Sequence, residues 1–156
     1  MIQLQHFNGG FTMFDSVLVV CAGNICRSPT AEYVLKSKLE GKNVKVSSAG
    51  LTALEGKPAD EVAQQVALQH GIEMSEHQGR QIGATLVAQN SVILVMEQRH
   101  LTDLCSRYPE ARGKTFLLGK WLGDKEVPDP YRQSLEAFQH VYALIDSACS
   151  AWQKYL

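Results

Sequence analysis

The sequence predicts an α/β fold, a single domain in which a four-stranded parallel sheet carries helices on both faces. Short apolar runs alternate along the chain with longer stretches whose apolar residues recur every three or four positions. The runs at 16–20 (SVLVV) and 91–96 (SVILVM) are largely apolar, as in strands that are buried on both faces. A chain of 156 residues is also of the size of one compact domain.

The first half of the chain predicts a strand, a loop, a helix and a second strand. After the strand at 16–20, residues 21–28 form a compact loop, and Ser28 followed by Pro29 is typical of a helix start. We expect that helix to end at Gly41. Residues 44–48 predict the second strand. The loop therefore follows the carboxyl end of the first strand, where sheets of this kind bind ligands.

The second half of the chain continues the alternation after a loop at 48–58. Asp60 is the expected cap of a helix that ends at Gly71. The remaining predicted elements are a strand at 91–96, a helix at 97–108, a strand at 114–118, a loop at 121–131 and a helix at 133–155. We expect residues 1–12, which carry a Gly-Gly pair and lack the features of a secretory signal, to form a disordered extension before a domain at 13–156.

Composition narrows the class of partner. A formal net charge of −1 gives no strong overall field for nucleic acid or for a membrane surface. No apolar run approaches the roughly 20 residues that cross a bilayer. We therefore expect no nucleic acid and no membrane insertion, and a partner that is recognised by a local site.

The four cysteines, Cys21, Cys26, Cys105 and Cys149, leave two interpretations open. They could form two disulfides in a secreted domain, or remain reduced in the cytosol. The core is large enough without disulfides, so we expect a cytoplasmic protein. The cysteines and the five histidines lack the spacing of metal ligands.

The loop at 21–28 has the composition of an anion-binding nest. Its backbone N–H groups can converge on a dianion, with the dipole of the following helix behind them. Gly23 and Asn24 permit the backbone angles that such a loop requires. The residues of the loop are Cys21, Ala22, Gly23, Asn24, Ile25, Cys26, Arg27 and Ser28.

Within that loop, Cys21, Arg27 and Ser28 carry the expected chemistry. Positive potential at the bottom of the nest favours thiolate over thiol at Cys21, and a thiolate is a good nucleophile toward phosphorus. The planar fork of Arg27 can bind two phosphate oxygens at once. Ser28 can donate a hydrogen bond to the Cys21 sulfur and make it a better leaving group. The sequence therefore predicts a phosphate-binding loop with a cysteine nucleophile.

VCAGNICRSPTAE at 20–32 resembles the signature of the low-molecular-weight protein tyrosine phosphatases. The resemblance extends over about 13–156 and includes the triplet Asp129-Pro130-Tyr131. Further matching segments are Ser47-Ser48-Ala49-Gly50, His70-Gly71, His77, Arg80-Gln81 and Leu94-Val95-Met96-Glu97. The segments SAGLTALEGKPAD and VPDPYR are most similar to bacterial members that are linked to capsule or exopolysaccharide operons.

The resemblance implies the roles of individual residues. Cys21 matches the nucleophile, Arg27 the phosphate clamp and Asp129 the general acid. Two residues in the loop, Asn24 and Ser28, match supporting positions, and Ser48 and His77 match a polar network that braces the asparagine. We expect Tyr131 to form an aromatic wall for a phenyl ring.

The implied activity is hydrolysis of phosphotyrosine through a cysteinyl-phosphate, with no metal or cofactor. The implied partners are phosphotyrosine proteins, in particular a bacterial tyrosine autokinase, and the implied state is a monomer or weak dimer. Cys26 is either a small buried filler or a thiol that traps oxidised Cys21 as a disulfide. We expect Cys105 and Cys149 to be packing residues.

Other interpretations of the same residues remain open. A bare Cys-x5-Arg match is compatible with a core cysteine and a surface arginine, Asp129-Pro130 alone is a common turn, and His77 alone is more often structural. Arsenate reductases share the fold but need a further pair of closely spaced cysteines. In phosphoarginine phosphatases the residue before the second cysteine of the loop resembles threonine. Ile25 occupies that position here, which favours phosphotyrosine. A non-enzymatic phosphotyrosine-binding module is the third alternative, which the intact Cys21, Arg27 and Asp129 disfavour.

Overall fold

A computed structural model describes residues 14–156, so the expected extension at 1–12 lies outside the described residues. The strands are β1 (Ser16–Cys21), β2 (Lys45–Gly50), β3 (Val92–Val95) and β4 (Thr115–Leu117). The α-helices are α1 (Arg27–Lys38), α2 (Glu61–Gln69), α3 (Ala84–Gln89), α4 (Gln98–Arg107) and α5 (Leu135–Gln153). Short 3-10 helices lie at Pro109–Ala111 and Lys120–Leu122. Among residues 14–156, no helix combines the length and apolar character needed to cross a bilayer.

The four strands form one parallel sheet in the order β2-β1-β3-β4, which confirms the predicted fold class. Strand β1 lies between β2 and β3, and Val19 is in register with Ser48 on one side and Leu94 on the other. The chain leaves β1 toward α1 and leaves β3 toward α4. The two helices pack on opposite faces of the sheet, so a crevice opens at the carboxyl ends of β1 and β3.

The alternation of side chains along β1 divides the core between the two faces. Val17 and Val19 belong to a buried cluster with apolar residues of α1, α2 and α5. Leu18 and Val20 belong to a second cluster with residues of α3 and α4. Because both faces are covered, the strand is apolar throughout, as its sequence predicts. Burial on both faces holds Cys21, the last residue of β1, in a fixed position.

Helix α1 begins two residues earlier than the sequence predicts. The expected start was Pro29 with Ser28 as the cap, whereas the helix begins at Arg27, and Cys26 precedes it without a side-chain cap. The hydroxyl of Ser28 contacts Cys21 and Asn24 instead of capping the helix. The tertiary contacts of Ser28 therefore outweigh its local preference for a cap position.

Helix α3 was not predicted, because its six residues (ATLVAQ) are too few to show a helical period and only Val87 is buried. The end of α1 lies at Lys38, three residues before the expected Gly41, and the other element boundaries differ from the predicted ones by at most two residues. Ser134 caps α5 through its hydroxyl, which accepts from the N–H of Ala137.

Candidate active site

Cys21 lies at the carboxyl end of β1 and is 3% exposed. Its Sγ is 2.9 Å from the Oγ of Ser28, at the start of α1. The N-terminus of α1 therefore adjoins the sulfur, and the dipole of the helix favours negative charge there. This arrangement suits a sulfur that must carry negative charge before it attacks and after it leaves.

Asn24 adopts the left-handed conformation, with φ of 57°, and is fully buried. Its amide Nδ2 donates to the Oγ of Ser28 at 2.8 Å and to the Oγ of Ser48 at 3.0 Å. Its Oδ1 accepts from the backbone N–H of Arg80 at 2.9 Å. A backbone conformation that is uncommon outside glycine is thus fixed by three side-chain hydrogen bonds.

A second layer of buried polar groups supports that asparagine. The Nε2 of His77 lies 2.7 Å from the backbone oxygen of Asn24, and the hydroxyl of Ser48 donates to a carboxylate oxygen of Glu32. The guanidinium of Arg80 donates to the backbone oxygen of Ser48. Ser48 and His77 were named from the sequence, whereas Glu32 and the side chain of Arg80 were not, because their roles arise from contacts between distant segments.

Arg27 is held along one edge of its guanidinium. Its Nη1 donates to Oε2 of Glu97 at 2.5 Å and to the backbone oxygen of Val127 at 2.9 Å. Within residues 14–156, Nε and Nη2 have no hydrogen-bond partner, and Nη2 lies 3.9 Å from Oδ2 of Asp129. The free edge is therefore the fork that can take two phosphate oxygens.

Glu97 was not predicted as a site residue. It lies two residues after the end of β3, and a charged residue close to the carboxyl end of a buried strand was the available signal. Burial alone would raise its pKa, but hydrogen bonds from Arg99 and Arg27 lower the pKa of Glu97 to about 2. The carboxylate therefore stays charged at neutral pH and anchors the arginine.

Asp129 and Tyr131 lie on the loop that precedes α5. The side chain of Asp129 is 48% exposed, and its Oδ1 accepts from the N–H of Tyr131 at 3.0 Å. Tyr131 is exposed, and its ring carries the guanidinium of Arg132 at 5.2 Å from the centroid. The carboxyl group of Asp129 is thus oriented by its own loop while it remains accessible to a ligand.

Cys21, Arg27, Asp129 and Tyr131 line one cavity of about 250 Å³. The other lining residues are Ala22, Gly23, Ile25, Cys26, Thr52 and Leu54. Thr52 and Leu54 come from the loop that follows β2. The cavity has polar groups at its base and apolar side chains at its rim, which suits an anionic group attached to an aromatic ring.

The remaining cysteines are buried and are not paired in disulfides. Burial, followed by the neighbouring Cys21, raises the pKa of the Cys26 thiol, and burial raises that of Cys149 as well. Cys149 lies in the main core and Cys105 in the core of the opposite face. Over residues 14–156, the structure contains no cluster of three or more His, Cys, Asp or Glu side chains suited to a metal ion.

A parallel sheet whose first strand ends in a cysteine, followed by a tight loop, an arginine and a helix N-terminus, is typical of cysteine-dependent phosphatases. A family model described as "Low molecular weight phosphotyrosine protein phosphatase" matches residues 16–156. The chain belongs to this family and is a protein-tyrosine-phosphatase.

Individual relatives agree with this assignment. The chain is 48% identical over 143 residues to the low molecular weight protein-tyrosine-phosphatase Etp of Escherichia coli K12, covering 92% of this chain and 95% of the relative. The structure of Vibrio vulnificus Wzb in complex with benzylphosphonate is similar with a TM-score of 0.88 and 51% identity, over 92% of this chain and 99% of that one. The YwlE arginine phosphatase of Geobacillus stearothermophilus has a TM-score of 0.84 and 30% identity, over 89% and 90% of the two chains.

Proposed function

We propose that this phosphatase works by two in-line phosphoryl transfers with Cys21 as nucleophile, Arg27 as phosphate clamp and Asp129 as general acid. The observation that carries the proposal is that all three side chains line one cavity, with the arginine fork free and the aspartate accessible. The proposed mechanism requires no metal and no cofactor, because the loop amides and Arg27 supply the positive potential.

In the first transfer, the Cys21 thiolate attacks phosphorus and the bond from phosphorus to the tyrosine oxygen breaks. Asp129 gives its proton to that oxygen, so tyrosine leaves as the neutral phenol. The product is a cysteinyl-phosphate. Arg27 and the backbone N–H groups of the loop stabilise the charge on the three equatorial oxygens.

In the second transfer, Asp129 is a carboxylate and takes a proton from water, which attacks the phosphorus of the cysteinyl-phosphate. The bond from sulfur to phosphorus breaks, and inorganic phosphate and the Cys21 thiolate are released. The Ser28 hydroxyl, 2.9 Å from Sγ, donates to the departing sulfur. The same hydrogen bond therefore serves the nucleophile in the first step and the leaving group in the second.

The rim of the cavity favours phosphotyrosine over smaller phosphoesters and over phosphoarginine. Ile25, Leu54 and Tyr131 line the cavity with apolar surface that a phenyl ring can contact. A guanidino group is cationic and gains less from such a rim. The arsenate reductase alternative needs a pair of cysteines close to the site, whereas Cys105 and Cys149 belong to separate cores.

The proposed substrates are phosphotyrosine proteins of a bacterial cell, in particular a tyrosine autokinase, with the enzyme acting in the cytoplasm to regulate capsule or exopolysaccharide production. Support comes from the resemblance of the segments at 48–60 and 127–132 to members of that type. The similarity to proteins named Etp and Wzb agrees with it. We propose that the enzyme acts as a monomer or weak dimer.

A panel of phosphopeptides tests the substrate class. Phosphotyrosyl, phosphoseryl and phosphoarginyl versions of one peptide are incubated with the enzyme in the presence of reductant and a chelator. Phosphate release from the phosphotyrosyl peptide alone is expected. Faster release from the phosphoarginyl peptide would reverse the assignment of substrate. Binding of phosphotyrosyl peptide without any release would identify an inactive binding module.

A further inference from the structure

A second cavity adjoins the catalytic one on the side of α4. Its volume is about 280 Å³, and it shares Ala22 and Thr52 with the catalytic cavity. The first turns of α4 contribute Arg99, His100 and Asp103 to its lining. A peptide whose phosphotyrosine occupies the catalytic cavity has its neighbouring residues within reach of this side cavity.

Two of the polar groups in the side cavity already satisfy each other. Arg107 donates through Nε and Nη2 to the two carboxylate oxygens of Asp103, at 2.9 Å each, and through Nη1 to the backbone oxygen of Leu51. All nitrogens of this guanidinium are engaged. Asp103 and Arg107 therefore neutralise each other and leave no net charge for a ligand.

Arg99 has a different set of contacts. Its Nε and Nη2 donate to the carboxylate of Glu97 at 3.1 and 3.2 Å, whereas Nη1 has no hydrogen-bond partner within residues 14–156. The side chain is 68% exposed. Because Glu97 is also paired with Arg27, the group of Arg27, Glu97 and Arg99 carries one positive charge in excess.

His100 lines the same cavity as a buried, neutral ring. Its Nδ1 accepts from the N–H of Glu97 at 3.2 Å, so the neutral ring carries its proton on Nε2. That nitrogen is buried, has no hydrogen-bond partner in the described part of the chain and lies 3.8 Å from Oε2 of Glu97, so it supports the inner wall of the cavity and is not exposed to a ligand. Burial, and then the charge of Arg27, lower the pKa of His100 and keep the ring neutral.

We propose that the side cavity binds an acidic side chain of the substrate close to its phosphotyrosine, with Arg99 as the specificity-determining residue. A carboxylate only accepts hydrogen bonds, and Arg99 Nη1, which is unpaired within residues 14–156 and belongs to an exposed side chain of the lining, only donates them. Two other carboxylates, Glu126 and Asp129, act on Arg99. Neither forms an ion pair with Arg99 within residues 14–156, and Glu126 accepts from the N–H of Gln98 instead, so Nη1 of Arg99 remains available to a substrate carboxylate.

The proposal rests on the tyrosine phosphatase activity and is tested with pairs of phosphotyrosyl peptides. Each pair differs by Glu or Gln at one position, from two residues before to two residues after the phosphotyrosine. We measure kcat/KM for the wild type, Arg99→Gln and Arg99→Glu. The control is Arg112→Gln, which removes the same charge from an exposed residue just before β4, at the amino ends of the strands and so away from the site.

We expect the wild type and Arg112→Gln to prefer Glu over Gln by about two- to fivefold at one or more positions, through KM more than kcat. Arg99→Gln should abolish that preference and Arg99→Glu should reverse it. The ratio of two peptides on one enzyme is insensitive to general loss of activity. A wild type without preference, or a preference that survives in Arg99→Gln, would overturn the proposal. Failure of the wild type to release phosphate from every peptide would overturn the phosphatase assignment instead.

Discussion

At the scale of single residues, the site depends on side chains whose positions are fixed by contacts outside the cavity. Arg27 is held through Nη1 by Glu97 and by the backbone oxygen of Val127. Cys21 is held by the strand that it ends and by Ser28. Such contacts remove alternative conformations before the ligand arrives, so less ordering is required on binding.

Replacement of Glu97 by Gln should lower kcat/KM by about tenfold or more, because the charge that orients Arg27 is lost while shape is retained. The measurement is steady-state hydrolysis of a phosphotyrosyl peptide. Glu110→Gln, which changes an exposed carboxylate on a 3-10 helix away from the site, is the matched control. Equal kinetics for the two variants would show that Glu97 does not position the arginine.

Asp129→Asn should reduce activity in a way that depends on the leaving group. A positioned acid contributes about 10²–10⁴-fold, and most when the leaving oxygen is strongly basic. The leaving phenol of tyrosine has a pKa of about 10, whereas the nitrophenol of p-nitrophenyl phosphate is much more acidic. The kcat/KM for phosphotyrosyl peptide should therefore fall much more than that for p-nitrophenyl phosphate. We measure kcat/KM, which reports the first transfer, on both substrates.

The control for this experiment is Asp124→Asn, which changes an exposed aspartate earlier in the same loop. The backbone of Asp124 is left-handed, a conformation that asparagine also tolerates. It should leave both substrates unaffected. Equal losses on the two substrates in Asp129→Asn would mean that Asp129 only organises its loop, and that a different group protonates tyrosine.

At the scale of elements, the segment at 51–57 is fixed between two others. On one side, Leu54 donates its N–H to the backbone oxygen of Gly23 in the phosphate loop. On the other, Gly56 donates to the oxygen of Gly79, and Gly79 donates to the oxygen of Lys57. The backbone segments around Gly23, Leu54 and Gly79 thus pack closely, and this packing places Leu54 at the rim of the cavity.

Gly79→Ala should disturb this packing, since a Cβ there would lie 2.2 Å from the backbone oxygen of Leu54. We expect a loss of about 1–3 kcal/mol in the free energy of unfolding and a higher KM for phosphotyrosyl peptide. In Gly83→Ala, a Cβ would contact nothing within 4 Å, and the change should cost less than about 1 kcal/mol with KM unchanged. Denaturant titration and kinetics of both variants provide the test. Equal free energies of unfolding for Gly79→Ala and Gly83→Ala would contradict the close packing of Gly79 against Leu54.

The sequence predicted the elements and residues that local patterns determine. Cys21, Asn24 and Arg27 lie in one continuous loop between a strand and a helix, so their proximity follows from the chain itself. Glu97 joins the site only because β3 lies beside β1. A contact between distant segments leaves no pattern in the sequence, so it could not be predicted. The helix α3 is too short to show a helical period and could not be predicted either.

At the scale of the whole molecule, the ion pairs of Glu97 link the site to stability. Because Arg99 and Arg27 hold the pKa of this carboxyl at about 2, below its ordinary value of 4.5, ionisation favours the folded state. That contribution is complete above about pH 4.5 and is lost as the pH falls toward 2. Stability and the orientation of Arg27 thus depend on the same charge.

The Tm of the wild type and of Glu97→Gln, measured from about pH 6 to about pH 2, tests this linkage. The wild type should be the more stable at pH 6, and the difference should shrink as Glu97 becomes protonated. A difference that stays constant over the range would indicate that Glu97 contributes through packing and not through its charge.

The central claim is that phosphate passes through Cys21. Rapid acid quenching of enzyme mixed with phosphotyrosyl peptide, followed by mass mapping, tests it directly. The wild type should carry phosphate on the peptide that contains Cys21. Cys21→Ser should carry none and release no phosphate while still binding vanadate, because the loop amides and Arg27 remain. Substantial turnover by Cys21→Ser, or phosphate trapped on another residue, would contradict the account.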